Sequence, residues 1–257
     1  MKNESQIAVN LFNLRDYCQN EKDFAKTLEQ LKNIGFSLVQ VSAVPLKAEI
    51  IRKHLDEFEL SCCATHGSYE QIFDDVNKVC DWLDILDCDY IALGSSPELY
   101  RSHLGMKQLA YKFNNQAEKM LSRKKKLAYH NHEFEFERKG GDCTIFETFY
   151  NNTDANLVQA ELDVQWVARA GASPVSWIKN LKNKLDVIHF KDFTIVDMKP
   201  VICEVGEGNL DWTSIVAESK NNGVKFYSIE QDFAFMDRNI FDSMKISFDN
   251  MKKMGLE

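Results

Sequence analysis

Four short stretches of this chain end in side chains able to hold a metal: Ala128-Tyr129-His130-Asn131-His132, Glu161-Leu162-Asp163, Ile188-His189-Phe190-Lys191-Asp192 and Ile229-Glu230-Gln231-Asp232. Each follows an apolar run that reads as a strand, and side chains alternate across a strand with period two. Placing Leu127 and Tyr129 on the outer face leaves Ala128, His130 and His132 on the inner one. Placing Val158, Ala160 and Leu162 outward leaves Glu161 and Asp163 inward. The same count turns His189 inward between Ile188 and Phe190, and Glu230 inward beyond Tyr227 and Ile229. His130, Asp163, His189 and Glu230 thus converge from successive strands, and this donor set suits a divalent transition metal with positions left for substrate oxygens or water. A lone strand-end histidine is commonly a hydrogen-bonded core residue and a strand-end aspartate commonly caps the next helix. Four such residues together point to a metal site.

The elements that would position them form a regular alternation. Strands are expected at 7–12, 38–41, 60–65, 90–93, 126–132, 157–163, 185–190 and 224–230. Between them lie helical patterns, the first behind Asp23 as N-cap with Gly35 as the stop. A long amphipathic helix is expected through Ile72–Leu86, a helix of some 25 residues after Pro97, and Ser173-Pro174 as an N-cap with proline at the first helical position. A long loop precedes the helix that starts near Asp211. Eight strand–helix units without a composition break predict an α/β chain, one (β/α)8 barrel domain over 1–257 with its site at the C-terminal ends of the strands. No G-x-G-x-x-G or G-x-x-x-x-G-K-[ST] motif supports a nucleotide cofactor or an open dinucleotide-binding sheet.

Composition narrows the partners. The 257 residues carry 31 Lys and Arg against 39 Asp and Glu, a net charge of −8, which argues against a nucleic-acid partner. The run Arg123–Lys126 reads as cations closing a helix. Seven cysteines without a C-x-x-C pair read as buried reduced thiols of a cytoplasmic protein. Met1–Gln6 is polar and no apolar run approaches the ~20 residues of a membrane span, so neither export nor a membrane is expected.

The same stretches resemble the xylose isomerase-like TIM barrels, the sugar phosphate isomerase/epimerase group whose relatives include endonuclease IV. The resemblance spans nearly the whole chain. It rests on Y-H-N-H-E-F-E-F at Tyr129–Phe136, E-L-D-V-Q-W-V-A-R-A-G-A-S-P-V at Glu161–Val175, H-F-K-D at His189–Asp192, V-G-E-G-N-L-D-W at Val205–Trp212 and I-E-Q-D at Ile229–Asp232. It implies one divalent ion (Mn²⁺, Co²⁺, Zn²⁺ or Mg²⁺) held by Glu, Asp, His and Glu from the last four strands, with Asp163, His189 and Glu230 at three positions. It also implies proton abstraction next to a carbonyl through an enediolate.

The fourth position departs from the family: His130 stands where a Glu is usual. Losing one carboxylate brings the site nearer neutrality, makes a bound ion a stronger Lewis acid and favours softer metals. Glu230 remains as a base, and His132, Glu133 or Glu135 is needed for the other. Lys191 matches the family lysine that reaches substrate oxygen. Glu207 lies between two glycines on the loop after the seventh strand, as a further catalytic candidate. His66 and Trp166 take substrate-contact positions, the latter as an aromatic plate for a sugar face, with Glu135 beside them. Gln40 sits near where some relatives carry a Glu.

The expected activity is isomerisation or epimerisation of a small sugar or polyol. The alternatives are a metal-dependent dehydratase or lyase on a keto-inositol or keto-glycoside, and a non-catalytic sugar-binding barrel. Six histidines and the acidic balance disfavour the three-zinc endonuclease. Oligomeric state stays open, with a homodimer one option.

Overall fold

The structure, a computed structural model, describes residues 5–257, so of the polar Met1–Gln6 segment residues 1–4 lie outside it. The expected alternation closes into a ring. Strands β1 (Ile7–Asn10), β2 (Leu38–Val41), β3 (Ser61–Gly67), β4 (Tyr90–Leu93), β5 (Lys126–His130), β6 (Val158–Asp163) and β7 (Val187–Phe190) run parallel. After a separate antiparallel pair, β8 (Asp192–Val196) and β9 (Lys199–Cys203), strand β10 (Phe226–Ile229) joins β7 to β1 and completes a closed eight-stranded barrel.

Helices cover it in chain order: α1 (Glu21–Ile34), α2 (Ala48–Glu57), α3 (Tyr69–Phe73), α4 (Val76–Ile85), α5 (His103–Leu121), α6 (Ile145–Asn151), α7 (Val164–Arg169), α8 (Pro174–Asn180), α9 (Trp212–Asn222) and α10 (Ile240–Lys253). Among the described residues no helix is long and apolar enough to cross a membrane.

Alternation sorts the core into two parts. The outward residues Leu127, Tyr129, Val158, Ala160, Leu162, Ile188 and Phe190 pack against the helices. Inside the barrel, Ala8, Ala64, Ala92 and Ala128 line a narrow middle over Cys63, Tyr90 and Val187. The buried Tyr90 hydroxyl donates to the Ala160 carbonyl at 3.0 Å, so this end of the barrel is filled and satisfied. All seven cysteines are free, six of them buried.

Several boundaries differ from expectation for local reasons. Asn20, not Asp23, caps α1, its side chain accepting from the Asp23 amide. The long helix through 72–86 breaks into α3 and α4 because Asp75 turns extended and caps Asn77 and Lys78. The helix after Pro97 is a 3-10 turn, Glu98–Tyr100, followed by the 19-residue α5. Ser173 caps α8 with Pro174 behind it, and Gly35 ends α1 at φ 119°, as read from the sequence. The basic run is engaged in pairs, Arg123 with Asp81 and Asp84, Lys125 with Asp84 and Asp89, Lys126 with Asp186.

The expected long loop before α9 contains the β8–β9 hairpin. Its two-residue turn is Asp197-Met198, both at positive φ (49° and 63°), in place of the Asn-Gly or Asp-Gly pair that would announce such a turn.

Candidate functional site

At the C-terminal end of the barrel the four expected residues meet. His130 is the last residue of β5 and Asp163 the last of β6. His189 lies abreast of Asp163 in the β6–β7 register, and Glu230 directly follows β10. Asn131 ties the two leading strands, accepting from the Asp163 amide at 3.0 Å and donating to its carbonyl at 3.4 Å. All four side chains are buried, and one donor atom of each lies within 4.8 Å of the others.

Asp163 does two jobs. Its Oδ1 accepts from the Gln165 and Trp166 amides at 2.9 and 3.1 Å and caps α7, which leaves Oδ2 with no hydrogen bond. His130 Nδ1 is likewise buried without a hydrogen-bond partner, while His189 Nδ1 lies 2.7 Å from Glu230 Oε2. Each such orphan costs on the order of 1–3 kcal/mol. His130 Nδ1 and Asp163 Oδ2, grouped with His189 and Glu230 within 4.8 Å, offer the lone pairs that a divalent cation satisfies. The residues therefore fit a metal.

Charges around this point are strongly coupled. Burial pushes His130 well below the ordinary imidazole range, and the neighbouring His189 pushes the same way. Burial alone would do the same to His189, but Glu161 and Glu230 on either side hold it well above that range. Glu230 is held low against its own burial by His189 and Lys191, while burial raises Asp163 to about 7. Glu230 Oε2 accepts from Asn10 Nδ2 at 2.8 Å and Oε1 from Lys191 at 3.2 Å.

Lys191 is fully buried, 2.8 Å from Asp232 and 3.7 Å from Asp163 Oδ2, with its ammonium 4.5 Å from the Trp166 ring centre. It is the counter-cation of the site.

Glu161, which carried no assigned role, is the layer beneath. It stands abreast of His130 in register and accepts from Gln40 Nε2 at 2.6 Å. His66 Nε2 is 3.2 and 3.3 Å from its two oxygens, and His189 Nε2 contacts Oε1. His66 and His189 hold this carboxylate below the usual range despite burial. A carboxylate behind a ligand histidine fixes the ring and its tautomer. Glu161 also completes an alternative donor group with His66, His130 and His189. The Glu161 oxygens are occupied, as are those of Glu230, so what favours the group with Asp163 is the orphaned Asp163 Oδ2. The available signal was its inward position two residues before Asp163.

A cavity of about 550 Å³ opens above, with His66, His130, His132, Trp166, Glu230 and Asp232 among its walls. His132 lies beyond the end of β5, stacked on Phe134 with ring centres 5.8 Å apart. Its buried Nδ1 has no partner, and burial lowers its pKa to about 4, so the imidazole is neutral.

Three assignments are corrected. Glu135 does not reach the cavity as a substrate contact: it is fully buried, taking the Tyr129 hydroxyl at 2.7 Å and the His132 amide at 2.8 Å, and so supports His132 from behind. Glu133, the other base candidate, pairs with Arg169 at 3.0 Å. Glu207 points away from the cavity, exposed, with its carboxylate on Asn250 Nδ2 at 2.8 Å. Its flanking glycines serve Asp192 instead, Gly206 and Gly208 donating their amides to Oδ2 at 3.0 and 3.1 Å. A Cβ on Gly208 would sit 2.2 Å from Asp192 Oδ1, which explains the glycine.

No family model matches the chain, and no curated protein matches it. Solved structures do. A sugar phosphate isomerase/epimerase from Parabacteroides distasonis superposes with a TM-score of 0.83 at 19% identity, covering 97% of this chain and 98% of that one. L-ribulose 3-epimerase gives 0.72 at 13% identity, covering 97% and 94%. A protein described as a probable 3-DHS dehydratase of petrobactin synthesis, from Bacillus anthracis, gives 0.73 at 12% identity over 96% and 98%. At these identities the likeness establishes a shared (β/α)8 fold.

Proposed function

We propose that the chain is a metal-dependent isomerase or epimerase of a small sugar or polyol, with His130, Asp163, His189 and Glu230 as ligands of one divalent ion. The observation that carries this reading is the pair of orphaned atoms, His130 Nδ1 and Asp163 Oδ2, grouped with His189 and Glu230 at the foot of an open cavity. The fold shared with sugar isomerases and epimerases agrees with it. A divalent ion there supplies Lewis acidity that makes a C–H beside a carbonyl removable.

The chain's own residues do the rest. Neutral His132, with Nδ1 free and its backbone fixed by Glu135, is the group able to take and return a proton. Lys191 and Asn10 keep Glu230 ionised and in place at the cavity foot. Trp166, 5.7 Å from the His132 ring, offers a flat wall for a sugar face, and His66 a polar edge. In this reading the enzyme works in the cytoplasm on a small molecule, without nucleotide cofactor, nucleic acid or membrane.

One observation favours a second reading, elimination by a dehydratase or lyase. Both Glu230 oxygens are engaged, which leaves His132 as the unengaged base outside the ligand group among the described residues, whereas inversion at carbon draws on a base at each face. Deuterium wash-in from D₂O with metal-loaded protein across keto-sugars and keto-inositols tests both. Exchange with retained carbon skeleton and hydroxyl count supports the isomerase. Exchange with loss of water or a glycosyl group supports the lyase. No exchange with any sugar that binds contradicts both and leaves the sugar-binding barrel.

A further inference from the structure

Arg15, on the 3-10 turn Leu11–Tyr17 that follows β1, lines the same cavity as His130 and Glu230. Its guanidinium carbon sits 4.4 Å from the Phe12 ring centre and 5.5 Å from that of Phe233. Nη1 donates to the carbonyls of Phe12 at 2.8 Å and Asp232 at 3.1 Å. Nε and Nη2 donate to no protein group among the described residues, and no carboxylate pairs with Arg15 within 4.0 Å.

The nearby acid does not answer it, because the Asp232 carboxylate is turned onto Lys191 at 2.8 Å. Four other arginines have carboxylate partners: Arg52, Arg123, Arg169 and Arg238. Arg101 and Arg138 likewise have no carboxylate partner among the described residues, but of these three only Arg15 lines this cavity. Here it is anchored at one nitrogen and stacked on aromatic faces, so its free fork is pre-organised and little entropy is lost when it is used.

We infer that Arg15 binds an anionic group, a carboxylate or phosphate, carried by the substrate that fills this cavity. Planar guanidinium matches both groups bidentately. This assignment rests on the sugar reading above for what fills the rest of the cavity, and it specifies that sugar as an acid or a phosphate ester.

Titration calorimetry on metal-loaded protein tests it with four probes: inorganic phosphate, fructose, fructose 6-phosphate and 5-keto-D-gluconate. At least one sugar anion is expected to bind ~10-fold or more tighter than fructose, a step typical of charge-assisted hydrogen bonds. Which anion shows it distinguishes phosphate from carboxylate. Arg15→Gln is expected to erase that preference while leaving fructose affinity unchanged, and Arg15→Lys to keep part of it.

Equal weakening of neutral and anionic probes in Arg15→Gln would mean a merely structural strap and overturns the assignment, as does the absence of any preference in the wild type. If no sugar binds, the sugar reading fails by itself, and inorganic phosphate then decides: binding lost in Arg15→Gln sustains the anion site, and binding that survives it, or none at all, overturns it. Should Arg15→Gln not fold, Arg15→Lys carries the same comparison.

Discussion

Two buried aspartates stand at the C-terminal end of this barrel, one strand apart, and they are opposites. Asp192, just past β7, is saturated: its carboxylate accepts from the amides of Phe193, Gly206, Gly208 and Leu210 and from the Trp212 indole at 2.6 Å. Asp163, at the end of β6, has one oxygen on helix amides and the other with no hydrogen bond, grouped with the equally orphaned Nδ1 of His130. Both are inaccessible to solvent. The difference lies in the accounting of lone pairs. A saturated buried carboxylate organises backbone, while an orphaned one is a demand that something outside the chain must meet.

The sharpest way to break that comparison is to remove one oxygen's charge from each. Asp163→Asn is expected to lose bound metal and to lower turnover by on the order of 10³-fold, with little change in thermal stability. Asp192→Asn, which sets an amide against five donors, is expected to destabilise by roughly 3 kcal/mol and to keep metal in whatever fraction folds. Thermal denaturation and metal content on the same samples separate the two, and equal loss of metal would erase the contrast.

Glu161→Gln tests the layer below. Weaker orientation of His189 is expected to reduce metal affinity by roughly 10–100-fold, read by competition with a chelator. An unchanged affinity would demote Glu161 to packing. Gly208→Ala sharpens the structural side, since its Cβ would meet Asp192 Oδ1 at 2.2 Å and the Phe193 carbonyl at 2.4 Å. A loss of about 1–3 kcal/mol with metal content unchanged is expected in a denaturant melt. Smallest of all is Glu207→Gln, where the exposed carboxylate meets only Asn250. Less than about 0.5 kcal/mol in stability is expected, and turnover within twofold.

Which residues face inward was legible because strand periodicity is two and the outer face is uniformly apolar. That logic places His130, Asp163, His189 and Glu230 together with no further information. It also placed Glu161 inside, but could not tell a ligand from the carboxylate that steadies one, since that depends on Gln40 and His66 arriving from across the barrel. The glycines around Glu207 were misread for the same reason. A Gly-flanked glutamate suggests close approach to a pocket, whereas the amides were needed by Asp192 fifteen residues earlier. The β8–β9 hairpin left no trace because Met198 stands where such a turn ordinarily has glycine. Long-range hydrogen-bond partners, in short, separate structure from site here, and a single strand's pattern does not contain them.

Metal content measures most directly whether the orphaned donors are metal ligands. Folded protein soaked with a divalent ion and desalted should retain about one equivalent per chain in the wild type, falling below ~0.2 in Asp163→Asn. A wild type that retains less than ~0.2 equivalents after soaking with Mn²⁺, Co²⁺ and Zn²⁺ in turn, or an Asp163→Asn variant that holds as much as the wild type, would contradict it.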